Sequence, residues 1–143
     1  MKKTDMHQDR GFTLVEMLIV VVIIGILVTV VVGVSRMVIA RAANEKTRMY
    51  MQTIMLAIDA YHEATGNYPA EGNLYQQLIA VPAAKKRLSA LPDDAVKDNV
   101  FVDGFEKHMY YFRTGGIGGL PVLISAGADR TFDTEDDIRS DNR

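Results

Sequence analysis

The chain has 143 residues, 48% of them hydrophobic, a formal net charge of −2 and no cysteine. That balance supplies no basic field for nucleic acid and no thiol for disulfides or nucleophilic chemistry. Residues 36–143 suffice for one small globular domain and not comfortably for two.

The polar stretch Met1–Gly11 carries Lys2, Lys3 and Arg10 against Asp5 and Asp9, and ends abruptly at Gly11-Phe12. Behind it, Gly11-Phe12-Thr13-Leu14-Val15-Glu16 leads into eighteen uncharged residues, Met17 to Val34, of which fourteen are Leu, Ile or Val. Each of those contributes about 0.3 to 0.6 kcal/mol to membrane insertion, so together they outweigh one carboxylate. A charge held in the bilayer costs about 2.5 to 3.5 kcal/mol at the helix centre, so Glu16 calls for a cationic partner. Two other readings of the segment remain. A secretory signal would use Ala40-Arg41-Ala42 as its cleavage pattern, but signal apolar regions run about 7 to 15 residues, and Arg36 intervenes here. A plain single-pass anchor fits the length, yet needs neither the carboxylate nor the preceding glycine. Basic residues flank the run on both sides, with Arg36, Arg41, Lys46 and Arg48 following it, so charge does not decide orientation.

No proline occurs from the apolar run to Pro69, and Tyr50, Ile54, Ile58 and Tyr61 recur at helical spacing beside Met51 and Met55. The pattern predicts one helix from Phe12 to about Thr65, stopped by Gly66 and by Tyr68-Pro69. Gly25 and Gly33 are its weak points, and they can serve simply to allow close helix packing. Arg41 with Glu45, and Glu45 with Arg48, lie one turn apart and can pair within the helix or between copies. Leu74–Ile79 and Pro82–Leu91 read as short helices, the second opened and closed by proline. Met109–Arg113 and Val122–Ser125 read as antiparallel strands joined through Gly115, Gly116, Gly118 and Gly119.

The stretch from Ser125 to Ile138 crowds five carboxylates into the nine residues Asp129–Asp137. Hard oxygen donors on a loop suit Ca²⁺, which takes six to eight of them. The loop is not an EF-hand, since Thr134 stands where that motif needs glycine and Ser140 where it needs glutamate. A solvated acidic tail is the alternative. Catalysis finds no support: there is no Gly-x-Ser-x-Gly elbow, phosphate loop or His-Glu-x-x-His pattern. His7, His62 and His108 are isolated, and the adjacent Asp136 and Asp137 guarantee neither the separation nor the pocket of an acid–base pair.

The hexapeptide at Gly11–Glu16 resembles the processing site of type IV pilins and pseudopilins. YHEATGNYP at Tyr61–Pro69 is similar to the helix exit of pseudopilins. Ser125, Gly127, Ala128, Asp129, Asp137 and Ile138 resemble the calcium loop of the major pseudopilin of type II secretion, although the loop here is shorter. The family commonly has proline at the position of Gly33, a departure in this chain; part of this stretch is unwound in the family's filaments, and the resemblance implies that glycine permits the same with less insistence than proline. The resemblance implies a pilin-like α+β fold, with a long N-terminal helix packed on a small antiparallel sheet domain and a calcium-type C-terminal loop. It implies residues 1–11 as a leader cut by a prepilin peptidase, with N-methylation at Phe12. It implies 12–35 as a transmembrane and assembly helix, and 36–143 as a periplasmic domain, divided into helix 36–65, variable loop 66–100 and sheet with acidic loop 101–143. Phe12 and Glu16 are then the assembly residues, Glu16 meeting the freed amine of a neighbouring copy. Asp129 and Asp136, then Asp137 and Asp133, with carbonyls near Ser125 and Leu123, are the calcium ligands. The implied partners are further copies in a filament, other pseudopilins, the peptidase and an inner-membrane assembly platform. A minor pilin of a type IV pilus or competence system, and a monomeric membrane-anchored calcium-binding module, are the alternative functions.

Overall fold

The computed structural model describes residues 12–141, excluding the side chains of 31–36. The predicted leader, Gly11 included, lies outside the described residues. The chain divides between Val38 and Ile39 into two compact units.

Helix α1 runs Leu14–Thr65. It starts two residues later than the sequence predicts because Thr13 caps it: the Glu16 backbone N–H donates to Thr13 Oγ1 at 3.2 Å. In the first unit every described side chain from Phe12 to Val30 is exposed. Valine and isoleucine are poor helix formers in water, so their density here is not explained by propensity. Among the described residues no helix is long and apolar enough to cross a membrane. The described side chains of the apolar run stop at Val30, short of the roughly 20 residues that a span takes.

The second unit is built on α1 from Ile39 onward. Thr47, Tyr50, Met51, Ile54, Ala57 and Ile58 are buried at three- and four-residue spacing, which makes one apolar stripe. The helix ends as predicted, with the Gly66 N–H on His62 O at 2.7 Å and Gly66 at φ 76°. His62 stacks on Tyr68 at 4.1 Å across the chain reversal, and Tyr111 donates its hydroxyl to Pro69 O. Burial pushes that hydroxyl up to about 12.

Helices α2 (Leu74–Ala80) and α3 (Pro82–Leu88) follow, burying Leu74, Leu78, Ala84 and Leu88. The predicted second helix loses its last residues because Ala90 and Leu91 switch to three-residue turns, as the residue before Pro92 is steered out of helix. A short 3-10 turn, Asp93–Ala95, leads into strands β1 (Val96–Lys97) and β2 (Val100–Phe101). These pair antiparallel across Asp98-Asn99, both left-handed, as a two-residue hairpin requires. They fall within or against the stretch predicted as variable loop.

Strand β3 (Tyr110–Phe112) pairs antiparallel with β4 (Val122–Ser125), register Tyr110↔Ile124, and β4 with β5 (Ile138–Arg139). The glycine-rich connection and the β3–β4 hairpin are those the sequence predicts; β5 is additional. Leu123, Met109, Phe101 and Ile138 meet the α1 stripe in one core.

Arg41, Glu45 and Arg48 form no ion pair with one another among the described residues. Lys46 instead reaches Asp94 at 2.6 Å, and the Tyr50 hydroxyl donates to the same carboxylate at 2.7 Å. The Lys46 ammonium, then the Tyr50 hydroxyl, holds the Asp94 carboxyl below its ordinary value. A carboxyl depressed in the folded state stabilises fully above its unfolded value and ceases to do so as pH falls through the folded one. Asp94→Asn is therefore expected to flatten the fall in melting temperature below about pH 4, read by thermal scans across that range.

Candidate functional site

At the head of α1, Phe12 is 72% exposed and Glu16 stands in the first turn, where the helix dipole favours a negative side chain. Phe12 lies before the helix begins, so an amine freed there would not be drawn into the helical hydrogen bonds. Thr13 is the residue that caps this head, a role the sequence expectations did not include. Its signal was present: Thr13-x-x-Glu16 has the spacing of a capping box.

The acidic loop is held mostly by its own backbone. The Asp129 N–H donates to Asp136 Oδ2 at 2.9 Å, and the Thr134 hydroxyl to Asp136 Oδ1 at 2.7 Å. The Thr134 hydroxyl, with the Asp129 amide, keeps the Asp136 carboxyl below its ordinary value. Asp129 Oδ1 accepts from the Thr131 N–H at 2.7 Å, and Asp137 Oδ2 from the Asp133 N–H at 3.0 Å. Arg130 and Asp133 adopt left-handed backbone, which turns the loop back on itself.

The predicted ligands are therefore brought together in two pairs, Asp129 with Asp136 and Asp133 with Asp137, Asp133 entering through its amide. Among the described residues no three acidic or histidine side chains converge as a metal cluster. The Leu123 carbonyl accepts the Ser140 N–H at 3.0 Å. Ser125 is fully buried and donates its hydroxyl to Asp103 Oδ2 at 2.6 Å. One buried acceptor of the loop is unmatched: Asp137 Oδ1 has no hydrogen-bond partner among the described residues. The donor set is all oxygen, suited to a hard cation, and this orphaned oxygen is the place where a cation would relieve an unmet need.

Asp103 was not legible as a site residue. It is 2% exposed and also accepts from the Phe105 and Lys107 amides, both at 2.8 Å. The dipeptide Asp103-Gly104 signalled a turn; nothing local in the sequence signalled its contacts with α1 and β4.

Residues 6–32 match the prokaryotic N-terminal methylation motif, and residues 37–141 match the family described as type II secretion system (T2SS), protein G. The second match alone spans well over half of the chain. The chain belongs to the type II secretion protein G family. Among its relatives, the type II secretion system core protein G of Escherichia coli (strain K12) is 31% identical over 146 residues, covering 96% of this chain and 93% of the relative. The core protein G of Klebsiella pneumoniae is 27% identical over 133 residues, covering 93% and 94%. That of Pseudomonas aeruginosa is 30% identical over 126 residues, covering 86% of each. No solved structure matches significantly. In this protein G family member the methylation-motif match takes in Phe12–Glu16, where α1 begins, and the protein G match takes in the whole acidic loop.

Proposed function

We propose that this protein is a structural, non-catalytic subunit of a type II secretion pseudopilus. Cut between Gly11 and Phe12, it is anchored in the inner membrane through the apolar half of α1. Its second unit stands in the periplasm and joins further copies and other pseudopilins in a filament for protein export. The observation that carries this reading is the exposed apolar run of α1, headed by one carboxylate inside the stretch that matches the methylation motif. Such a surface is unstable in water and calls for lipid before assembly and neighbouring helices after it. Mass spectrometry of the mature N-terminus tests it. The expected species begins with N-methylated Phe12; a chain retaining Met1–Gly11 in a cell with an active prepilin peptidase would reject it in favour of a plain anchor.

The acidic loop is proposed to take Ca²⁺, with Asp137, Asp129 and Asp136 as carboxylate donors and Asp133 and the carbonyls near Ser125 and Leu123 as accessory ones. Two features support this: the all-oxygen donor set and the buried, unpaired Asp137 Oδ1. A cation bound only by the folded form stabilises by mass action, about 2.7 kcal/mol at one hundred times its dissociation constant. Millimolar Ca²⁺ is expected to raise the melting temperature by several degrees, and Asp129→Ala to remove most of the rise. An identical melt with Ca²⁺ and with chelator would eliminate the site.

A further inference from the structure

The buried polar side chains among the described residues are Thr47, Asp103 and Ser125, at 0%, 2% and 0% exposure. They are not scattered: they form one hydrogen-bonded path through the second unit. On α1 the Thr47 hydroxyl donates to Ala43 O at 2.8 Å, and its oxygen accepts the Gly104 N–H at 2.9 Å. Asp103, next in the chain, accepts the Ser125 hydroxyl at 2.6 Å, and the Ser125 oxygen accepts the Gly127 N–H at 3.2 Å. Every hydroxyl on this path both donates and accepts, so none can change partner without orphaning another.

Both ends of the path are closed by glycines that leave no slack. A Cβ at Gly104 would overlap the carbonyl oxygen of Ala43 on α1. A Cβ at Gly127, which sits at φ 62°, would overlap the carbonyl oxygen of Asp136 where the acidic loop returns. Backbone is thus packed against backbone at the helix and at the loop, with the buried path between them. Close-packed contacts of this kind pass a displacement on rather than absorbing it.

We propose that Asp103 and Gly104 form a mechanical joint that couples the acidic loop to α1, so that closing or opening the loop changes how firmly the helix is held at Ala43–Thr47, and the reverse. Coupling between two places is reciprocal as a matter of thermodynamics, so it can be read from either end. The joint is independent of whether a cation enters the loop. It gives the loop a means of altering the helix through which copies are proposed to associate.

Amide hydrogen exchange on the full processed chain in detergent tests the joint without added metal. Thr47→Val keeps the shape of the side chain and removes the acceptor of the Gly104 N–H. Exchange is expected to accelerate at least tenfold at Gly104 and also at Gly127 and Asp129, with Ile54 and Ile58 unchanged. Thr47→Ser, which keeps the hydroxyl, is expected to restore wild-type exchange at all three. Thr53→Val is the control, because Thr53 makes the same kind of bond to Met49 O but lies off the path. From the other end, Gly127→Ala is expected to accelerate Gly104. Two results would overturn the joint: Gly104 accelerating in Thr47→Val while Gly127 and Asp129 stay within twofold of wild type, or acceleration shared equally by Ile54 and Ile58, which would be global unfolding.

Discussion

Asp103→Ala is expected to lower the unfolding free energy by about 3 kcal/mol or more, since each buried donor left without an acceptor costs about 1 to 3 kcal/mol. Three donors lose their partner at once: the Ser125 hydroxyl and the Phe105 and Lys107 amides. The Ser125 hydroxyl cannot turn to water, because Asp103 and Ser125 are enclosed, whereas the two amides lie only partly buried. The alanine also empties a volume between α1, the 103–107 turn and β4. Asp103→Asn keeps the shape and two of the acceptor contacts, so its loss is expected to be distinctly smaller. Urea unfolding of both variants, compared through midpoints at a constant slope, measures the difference. Equal losses would mean that volume rather than hydrogen bonding holds the turn. Gly104→Ala is the companion case, in which the added Cβ meets the backbone of Ala43 on α1, so something must shift.

That contrast shows why the sequence was readable in some places and opaque in others. The course and end of α1 were legible because a 3.6-residue stripe repeats over many turns and Gly66 marks the stop, whereas its start was set by the Thr13 cap. The β3–β4 hairpin was legible because glycines separate two apolar runs of strand length. Strands β1, β2 and β5 were not, because two residues are too few to display alternation and their pairing is set by partners elsewhere in the chain. The joint at Asp103 was not legible for the same reason: an Asp-Gly pair predicts a turn, while Thr47 and Ser125 lie 56 and 22 positions away. In the acidic loop, composition showed crowded carboxylates but not their engagement by the loop's own amides. Left-handed backbone at Arg130 and Asp133, which turns those amides inward, leaves no mark in a count of carboxylates.

Glu16→Leu is expected to abolish filament assembly while leaving membrane insertion intact or improved. Insertion gains because a carboxylate that costs about 2.5 to 3.5 kcal/mol at the helix centre is replaced by a residue that favours lipid. Assembly loses because a lone carboxylate in the first turn of α1 has, among the described residues, no cation of its own chain paired with it. In the proposed filament a neighbouring copy cut at Phe12 brings an ammonium group, so the charge that opposes burial in one subunit becomes an attraction between two. On the proposed assembly, removing the carboxylate leaves that ammonium without its counter-charge, which is expected to cost more than the added apolar surface returns. Crosslinked multimers in membranes are expected to fall at least tenfold, with mass spectrometry confirming that the variant is still cut and methylated at Phe12. Glu16→Gln separates charge from hydrogen bonding: it keeps the length and the polar contacts of glutamate, and if the ion pair drives association it fails as completely as leucine does. A fully trimmed Glu16→Leu chain that assembles at the wild-type rate would show that packing of the apolar run alone is enough to hold copies together, and that the carboxylate serves only to start the helix beside Thr13.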